Sequence, residues 1–395
     1  MRLFRIKVLI FLIVLLFGCI GLVSITVPLS FLLAIEFVLE SGKKRVFESL
    51  YHNSYGNKMV ILLIFGALSL LWTPDIGPSL LLWFVVLLTV INSYLIFYFV
   101  KRYNLLNIVV RSVIVFSIVN YTLAFNLPYF QFLAFNSDNI VAGWGGGRFT
   151  GVTSNPNTLA VMLIFSIFLS LWALNRASKW HQSIAYLFNI LFSYYVIFLT
   201  MSKKGLVFSL VLIILYTFSN ISVKKISIVL ACVIATGLVL LNNSDFLETV
   251  GLILVRFDNL IGALDGSGYD NGSSSTERIE YINIGLEGFK KSPIWGHGWD
   301  SFRYFNGGMY SHNNFIELLF SLGIIGLIVY YAIHLSIIKK LLLYKADRLT
   351  LIFVLIIVTM DVGLVSYSFK GTMLMLVVCS IIADSSILQK KINSI

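Results

Sequence analysis

Charge is almost absent from this chain over one long stretch after another. Residues 79 to 99 contain no Asp, Glu, Lys or Arg, and similar apolar stretches recur as far as residue 388. A helix of about 20 apolar residues crosses the hydrocarbon core of a bilayer. Of the 395 residues 58% are hydrophobic and only 12% are charged. Ordinary soluble domains carry about twice that charged share. The composition excludes a soluble enzyme, a disordered chain and a nucleic-acid binder. It predicts an all-α, polytopic integral membrane protein with about twelve transmembrane helices and one large external loop.

The arrangement of basic residues orients the spans, because Lys and Arg collect in cytoplasmic loops. Arg2, Arg5 and Lys7 precede the apolar residues 8 to 39, and Lys43, Lys44 and Arg45 follow them. Both clusters belong inside, so the chain crosses twice there, turning near Gly21 to Pro28. Further spans are expected at 59 to 73, 79 to 99, 106 to 126, 157 to 174, 182 to 200, 206 to 219, 226 to 241, 313 to 337, 349 to 366 and 371 to 388. Nineteen basic residues then face the cytoplasm, nine lie elsewhere outside the spans and Arg111 lies within one. Both termini are cytoplasmic. The net charge of +11 is therefore read as topology.

The expected segments are N-terminal spans (1–126), an external loop (127–156), central spans (157–241), a large external loop (242–311) and C-terminal spans (312–395). The large loop holds nine of the 18 acidic residues. Its Gly/Ser-rich stretch Asp265 to Thr276 reads as flexible, and Thr276 to Phe289 has the spacing of an amphipathic helix on the membrane surface. Cys19, Cys232 and Cys379 sit in apolar runs and offer neither a disulfide framework nor a metal site. Leu16-Phe17-Gly18-Cys19 faintly resembles a lipoprotein cleavage box, but the apolar run continues past it and reads as a retained helix.

Cations on the outer face run against the positive-inside bias, which marks them out. Arg148 follows Gly145-Gly146-Gly147 just before a span. Lys203 and Lys204 occupy the short turn Met201 to Gly205, and Arg278 lies in the surface helix. Cations beside a bilayer suit the diphosphate of a lipid carrier, with Arg as a bidentate partner and Lys as a point charge. The plain alternative is snorkelling to lipid headgroups. His312 opens a span on the same face, where a neutral imidazole can accept a proton from a sugar hydroxyl; its alternative is a helix cap. His52, His181 and His334 read as solvated or interfacial, and His297 as a turn residue. The three glycines are no dinucleotide fingerprint, and Asp265 to Asp270 lacks the later Glu of a calcium loop. Glu36, Asp361 and Arg111 lie near span ends, so no charged chain crosses the midplane, as a proton-coupled transporter would require.

These residues resemble a family pattern. Arg148-Phe149-Thr150-Gly151, then Asn155-Pro156-Asn157 and Leu159-Ala160, is similar to a segment entering a span in the O-antigen ligase and polymerase superfamily. Leu199-Thr200-Met201-Ser202-Lys203 stands where that family has a Thr/Ser-x-Ser/Thr-Arg turn. Glu277-Arg278, Gly285-Leu286-Glu287-Gly288-Phe289, Ser292-Pro293 and Gly296-His297-Gly298 resemble the loop around its second essential arginine. His312-Asn313 with Gly323 and Gly326 is similar to its His-Asn/Ser/Gln-x₉-Gly motif. Lys203 departs from the pattern by keeping charge without a guanidinium.

The resemblance implies a glycosyl transfer without metal or cofactor on the outer face of a bacterial cytoplasmic membrane. His312 and Arg278 are then catalytic. Arg148, Lys203, Lys204 and Arg278 bind the donor diphosphate, and Asn155, Asn157 and Asn313 support them. The donor is a glycan on undecaprenyl diphosphate. Membrane lipid, a chain-length regulator and a flippase of the same pathway are the other expected partners, and nucleic acid is not. The resemblance implies a repeat-unit polymerase for O-antigen, capsule or exopolysaccharide. The alternatives are a ligase acting on lipid A-core, or a flippase or transporter of the same glycan.

Overall fold

The computed structural model describes residues 55–126, 148–153, 155–219 and 274–393, with isolated positions between 32 and 39 and at 251. The double crossing expected in residues 8 to 39, the span at 226 to 241 and most of both external loops lie outside these residues. Every regular element described is helical: α1 (Gly56–Ser69), α2 (Ile76–Tyr103), α3 (Leu106–Asn126), α4 (Pro156–Leu174), α5 (Trp180–Leu199), α6 (Lys203–Ser219), α7 (Ser274–Lys291), α8 (Ser301–Phe305), α9 (Asn314–Leu343), α10 (Arg348–Met360) and α11 (Lys370–Asn393). α2, α4, α5 and α9 are long and apolar enough to cross a membrane. Among the described residues the protein is all-helical, as expected of a membrane protein. The elements fall into two compact units, one of α1, α2 and α7 to α11, the other of α3 to α6.

In the second unit α4 is buried nearly all round, packing on α5 and α6. Apolar helices in lipid gain little from the hydrophobic effect, so close packing and interhelical hydrogen bonds hold them together. Asn189 of α5 donates to Ser166 Oγ (2.9 Å) and Ser170 Oγ (2.8 Å) of α4, and Ser166 Oγ lies 2.8 Å from Ser117 Oγ of α3. A Cβ on Gly205 would come within 2.7 Å of Ala160 Cβ, which shows how closely α6 approaches α4.

The first unit contains a break that the apolar pattern hid. Residues 313 to 337 read as one crossing, yet Gly323 inside α9 has φ +63° and ψ −164°. Phe315 and Tyr331 would lie about 24 Å apart along a straight helix. Their rings instead stack at 4.7 Å, and Asn314 Nδ2 donates to Tyr331 Oη at 3.1 Å. The chain doubles back at Gly323: a short arm, residues 314 to 322, folds against the span-length arm, residues 324 to 343. Apolar composition is the same on both sides of the bend, so hydropathy cannot register it.

α10 also stops earlier than expected, at Met360, followed by the tight turn Asp361–Gly363. The irregular chain after it is satisfied by Asn314, whose Oδ1 accepts from Ser366 N (2.9 Å) and Tyr367 N (3.0 Å). Tyr331 Oη donates to Asp361 Oδ2 at 2.8 Å. Irregular backbone among membrane helices requires such partners, since lipid supplies none. His334, expected to be solvated or interfacial, is instead 1% exposed and packs against the rings of Tyr330 and Tyr331. It lies one turn beyond Tyr331, where the hairpin packs the short arm against the long one. At the far end of the long arm, Asp384 of α11 pairs with Lys340 (2.9 Å) and with Lys101 of α2 (2.6 Å).

Candidate functional site

The second unit builds a cationic turn. Pro156 starts α4 with its φ already fixed for a helix, and Asn155 caps it by accepting from Asn157 N (2.9 Å) and Thr158 N (3.2 Å). That leaves the Asn157 side chain for another task. Its Oδ1 accepts from Arg148 Nη2 (3.1 Å) and from Ser202 Oγ (3.0 Å). Arg148 Nε donates to Thr200 O at 3.0 Å, and Phe149 N to Leu199 O at 3.1 Å. Arg148 and Asn157 therefore brace the turn between α5 and α6.

Met201 takes φ +48° in that turn, and Ser202 caps the following helix, its Oγ accepting from Gly205 N at 3.3 Å. Lys203 and Lys204 are the first two residues of α6, where the sequence suggested a loop. Both are half-buried. A helix N-terminus presents unpaired N–H groups and a partial positive charge, so two ammonium groups there add to a ready anion site.

The first unit carries the other two candidates. Arg278 lies on α7, which packs through Tyr281, Ile282 and Ile284 on a cluster of Phe302 from α8 and Ile316 and Phe320 from the short arm of α9. A Cβ on Gly285 would collide with Ile316, and one on Gly288 with Phe320, so the two helices touch closely. The apolar face expected on the membrane surface thus covers protein, while Ile279 and Leu286 stay exposed. Burial lowers the pKa of Arg278 from the usual guanidinium value, and Tyr310 and Glu277 nearby oppose that shift.

His312 stands in a left-handed turn, φ +57°, just ahead of the short arm. The cap of that arm is Asn313, whose Oδ1 accepts from Phe315 N (3.0 Å) and Ile316 N (3.2 Å). Capping is therefore done by its neighbour, and the imidazole faces other rings. It lies 4.1 Å from the Tyr310 ring and stacks on Tyr281 at 6.3 Å with an 11° tilt. Tyr310 is close enough to Arg278 and Arg303 that both oppose the upward pKa shift caused by its burial. Tyr281 brings His312 against the helix that carries Arg278. Arg303 also pairs with Asp300 (3.2 Å), whose carboxyl burial pushes up to about 6 despite that pair.

His297 belongs to a clasp. The bend at Gly323 leaves Phe320 O and Ser321 O without their helical partners, and His297 N (3.0 Å) and Gly298 N (2.9 Å) donate to them instead. Ile324 N turns to Pro293 O at 2.9 Å. Gly323 and Gly296 both have positive φ, and a Cβ on either would strike the backbone of the facing segment. The reading of His297 as a turn residue holds, and its Nε2 lies 2.9 Å from Gly288 O.

Sequence reasoning missed Tyr281, Asp300, Arg303, Tyr310 and Glu317. Two signals were available: Tyr281 sits three residues after Arg278 on one helix face, and Tyr310 two before His312. Among the described residues, no group of three or more His, Cys, Asp or Glu is placed to hold a metal ion. No curated protein matches the chain. The family described as O-antigen ligase matches residues 187–331, a stretch that includes Lys203, Lys204, Arg278, the clasp and His312. Over residues 187–331 the chain is thus similar to the O-antigen ligase family, which supports the resemblance to the O-antigen ligase and polymerase superfamily.

Proposed function

We propose that this protein polymerises oligosaccharide repeat units carried on undecaprenyl diphosphate, at the outer face of the bacterial cytoplasmic membrane. The observation that carries the reading is the packing of His312 between Tyr310 and Tyr281, the latter on the helix that carries Arg278. Such a grouping offers an imidazole able to act as a base beside a guanidinium able to bind phosphate. His312 takes the proton of an acceptor hydroxyl as its oxygen attacks the anomeric carbon of the donor. The bond from that carbon to the diphosphate breaks, and Arg278 holds the charge left on the diphosphate. Lys203 and Lys204, with Arg148 bracing their turn, are the donor-binding cations proposed in their own unit. Burial strengthens these contacts relative to water. A single displacement inverts the anomeric centre. The lipid diphosphate already activates the donor, so this chemistry calls on neither nucleotide nor metal. A chain-length regulator and a flippase of the same pathway are the expected partners.

The match to the O-antigen ligase family favours a second reading, transfer of finished polymer to lipid A-core. The surface glycan of a deletion strain separates the two. Single repeat units on the acceptor mean polymerase. Lipid-linked polymer with no transfer means ligase.

A further inference from the structure

We infer that Glu317 is a positioning residue for His312, holding the left-handed turn that presents the imidazole to Tyr281 and Tyr310. The inference rests on the proposed role of His312 as base. Glu317 lies on the short arm of α9, is 1% exposed, and accepts the Ser311 N–H through Oε2 at 2.8 Å. Ser311 is itself buried. An N–H in that place needs a partner inside the protein, and the helix cannot provide one, because Ser311 precedes the cap Asn313. Ser311 Oγ closes the turn from the other side by donating to Asn313 O at 2.8 Å.

His312 sits between these two bonds with φ +57°. A β-carbon at positive φ clashes with its own backbone, so the turn relaxes to negative φ unless something holds it. Relaxation would swing the ring away from Tyr310. The carboxyl group is kept in a buried place where an apolar side chain would pack at lower cost, and it accepts from the backbone of the residue preceding His312. The structure thus assigns Glu317 a role exercised through His312. Misplacement of a reacting group by about 1 Å costs roughly 10²-fold in rate.

The test uses the full-length protein in liposomes with purified lipid-linked repeat units, reading turnover, donor binding and melting separately. Glu317→Gln keeps an acceptor oxygen at the same reach and is expected to stay within about 3-fold of the parent. Glu317→Met has similar length and no carbonyl. It is expected to lose roughly 10²-fold in turnover with donor binding unchanged. Glu317→Asp keeps the charge, is too short to reach Ser311 N, and is the variant to rely on if Glu317→Met does not insert. It is expected to lose at least about 10-fold. On a His312→Ala background, Glu317→Asp should cost nothing further, because a residue acting through the imidazole has nothing left to position. Parent-like turnover of Glu317→Asp overturns the inference, and so does an undiminished additional loss on the His312→Ala background. Parent-like turnover of His312→Ala itself would refute the proposed base, a result distinct from either.

Discussion

At the scale of single residues, the site is built by side chains that free other side chains for chemistry. Asn313 caps the short arm and leaves His312 to its rings, just as Asn155 caps α4 and leaves Asn157 to Arg148 and Ser202. The cations and the histidine were legible from sequence because they stand where neither topology nor helix formation asks for them. The tyrosines were not, since an aromatic residue among so many apolar ones carries no mark until its neighbours are known. Asp300 shows how such a cluster responds to pH. Its carboxyl is raised to about 6 in the folded protein, against roughly 3.9 unfolded, so the folded state holds its proton more tightly. Below about pH 4 both states are protonated and the group costs nothing. As pH rises from about 4 to 6 the unfolded state ionises first, and the folded protein loses at most about 3 kcal/mol. Asp300→Asn should remove that part of the fall in thermal stability between pH 4 and 6. Melting curves in detergent check this, and an unchanged pH dependence in the variant would contradict it.

At the scale of elements, helices occupy the nine expected spans that fall among the described residues, with 313 to 337 broken at Gly323 and 349 to 366 ending early, because apolar length is a sufficient signal for a helix in lipid. What hydropathy could not show is where a helix breaks. The bend in α9 depends on backbone rather than side-chain polarity: Gly323 supplies the dihedral angle, and Pro293 to Gly298 supply partners for the groups that the bend exposes. Gly323 of the sequence motif is thereby accounted for. Gly323→Ala should be severely destabilising, by about 3 kcal/mol or more, since it combines positive φ with a collision against Ile294 O. Gly307 also has positive φ but has open space around its Cβ position, so Gly307→Ala should cost only about 1 kcal/mol. Thermal unfolding of both variants checks the contrast, and equal losses would contradict the clasp.

At the scale of the whole molecule, the account requires the His312 cluster to lie on the outer side of the membrane, where the charge pattern of the sequence predicts it. In a protein whose native cysteines are replaced, Tyr304→Cys should react with an impermeant thiol reagent from outside, and Lys179→Cys only after the membrane is opened. The reverse pattern would put the site in the cytoplasm, away from a donor presented outside. The most direct test of the central claim is polymerisation of purified lipid-linked repeat units by His312→Ala and by the double variant Lys203→Ala/Lys204→Ala, each measured beside donor binding. His312→Ala should bind donor normally and lose roughly 10²- to 10⁴-fold in turnover, the range of general-base catalysis. The double lysine variant should lose binding and turnover together. Near-normal turnover by well-inserted His312→Ala would contradict the account.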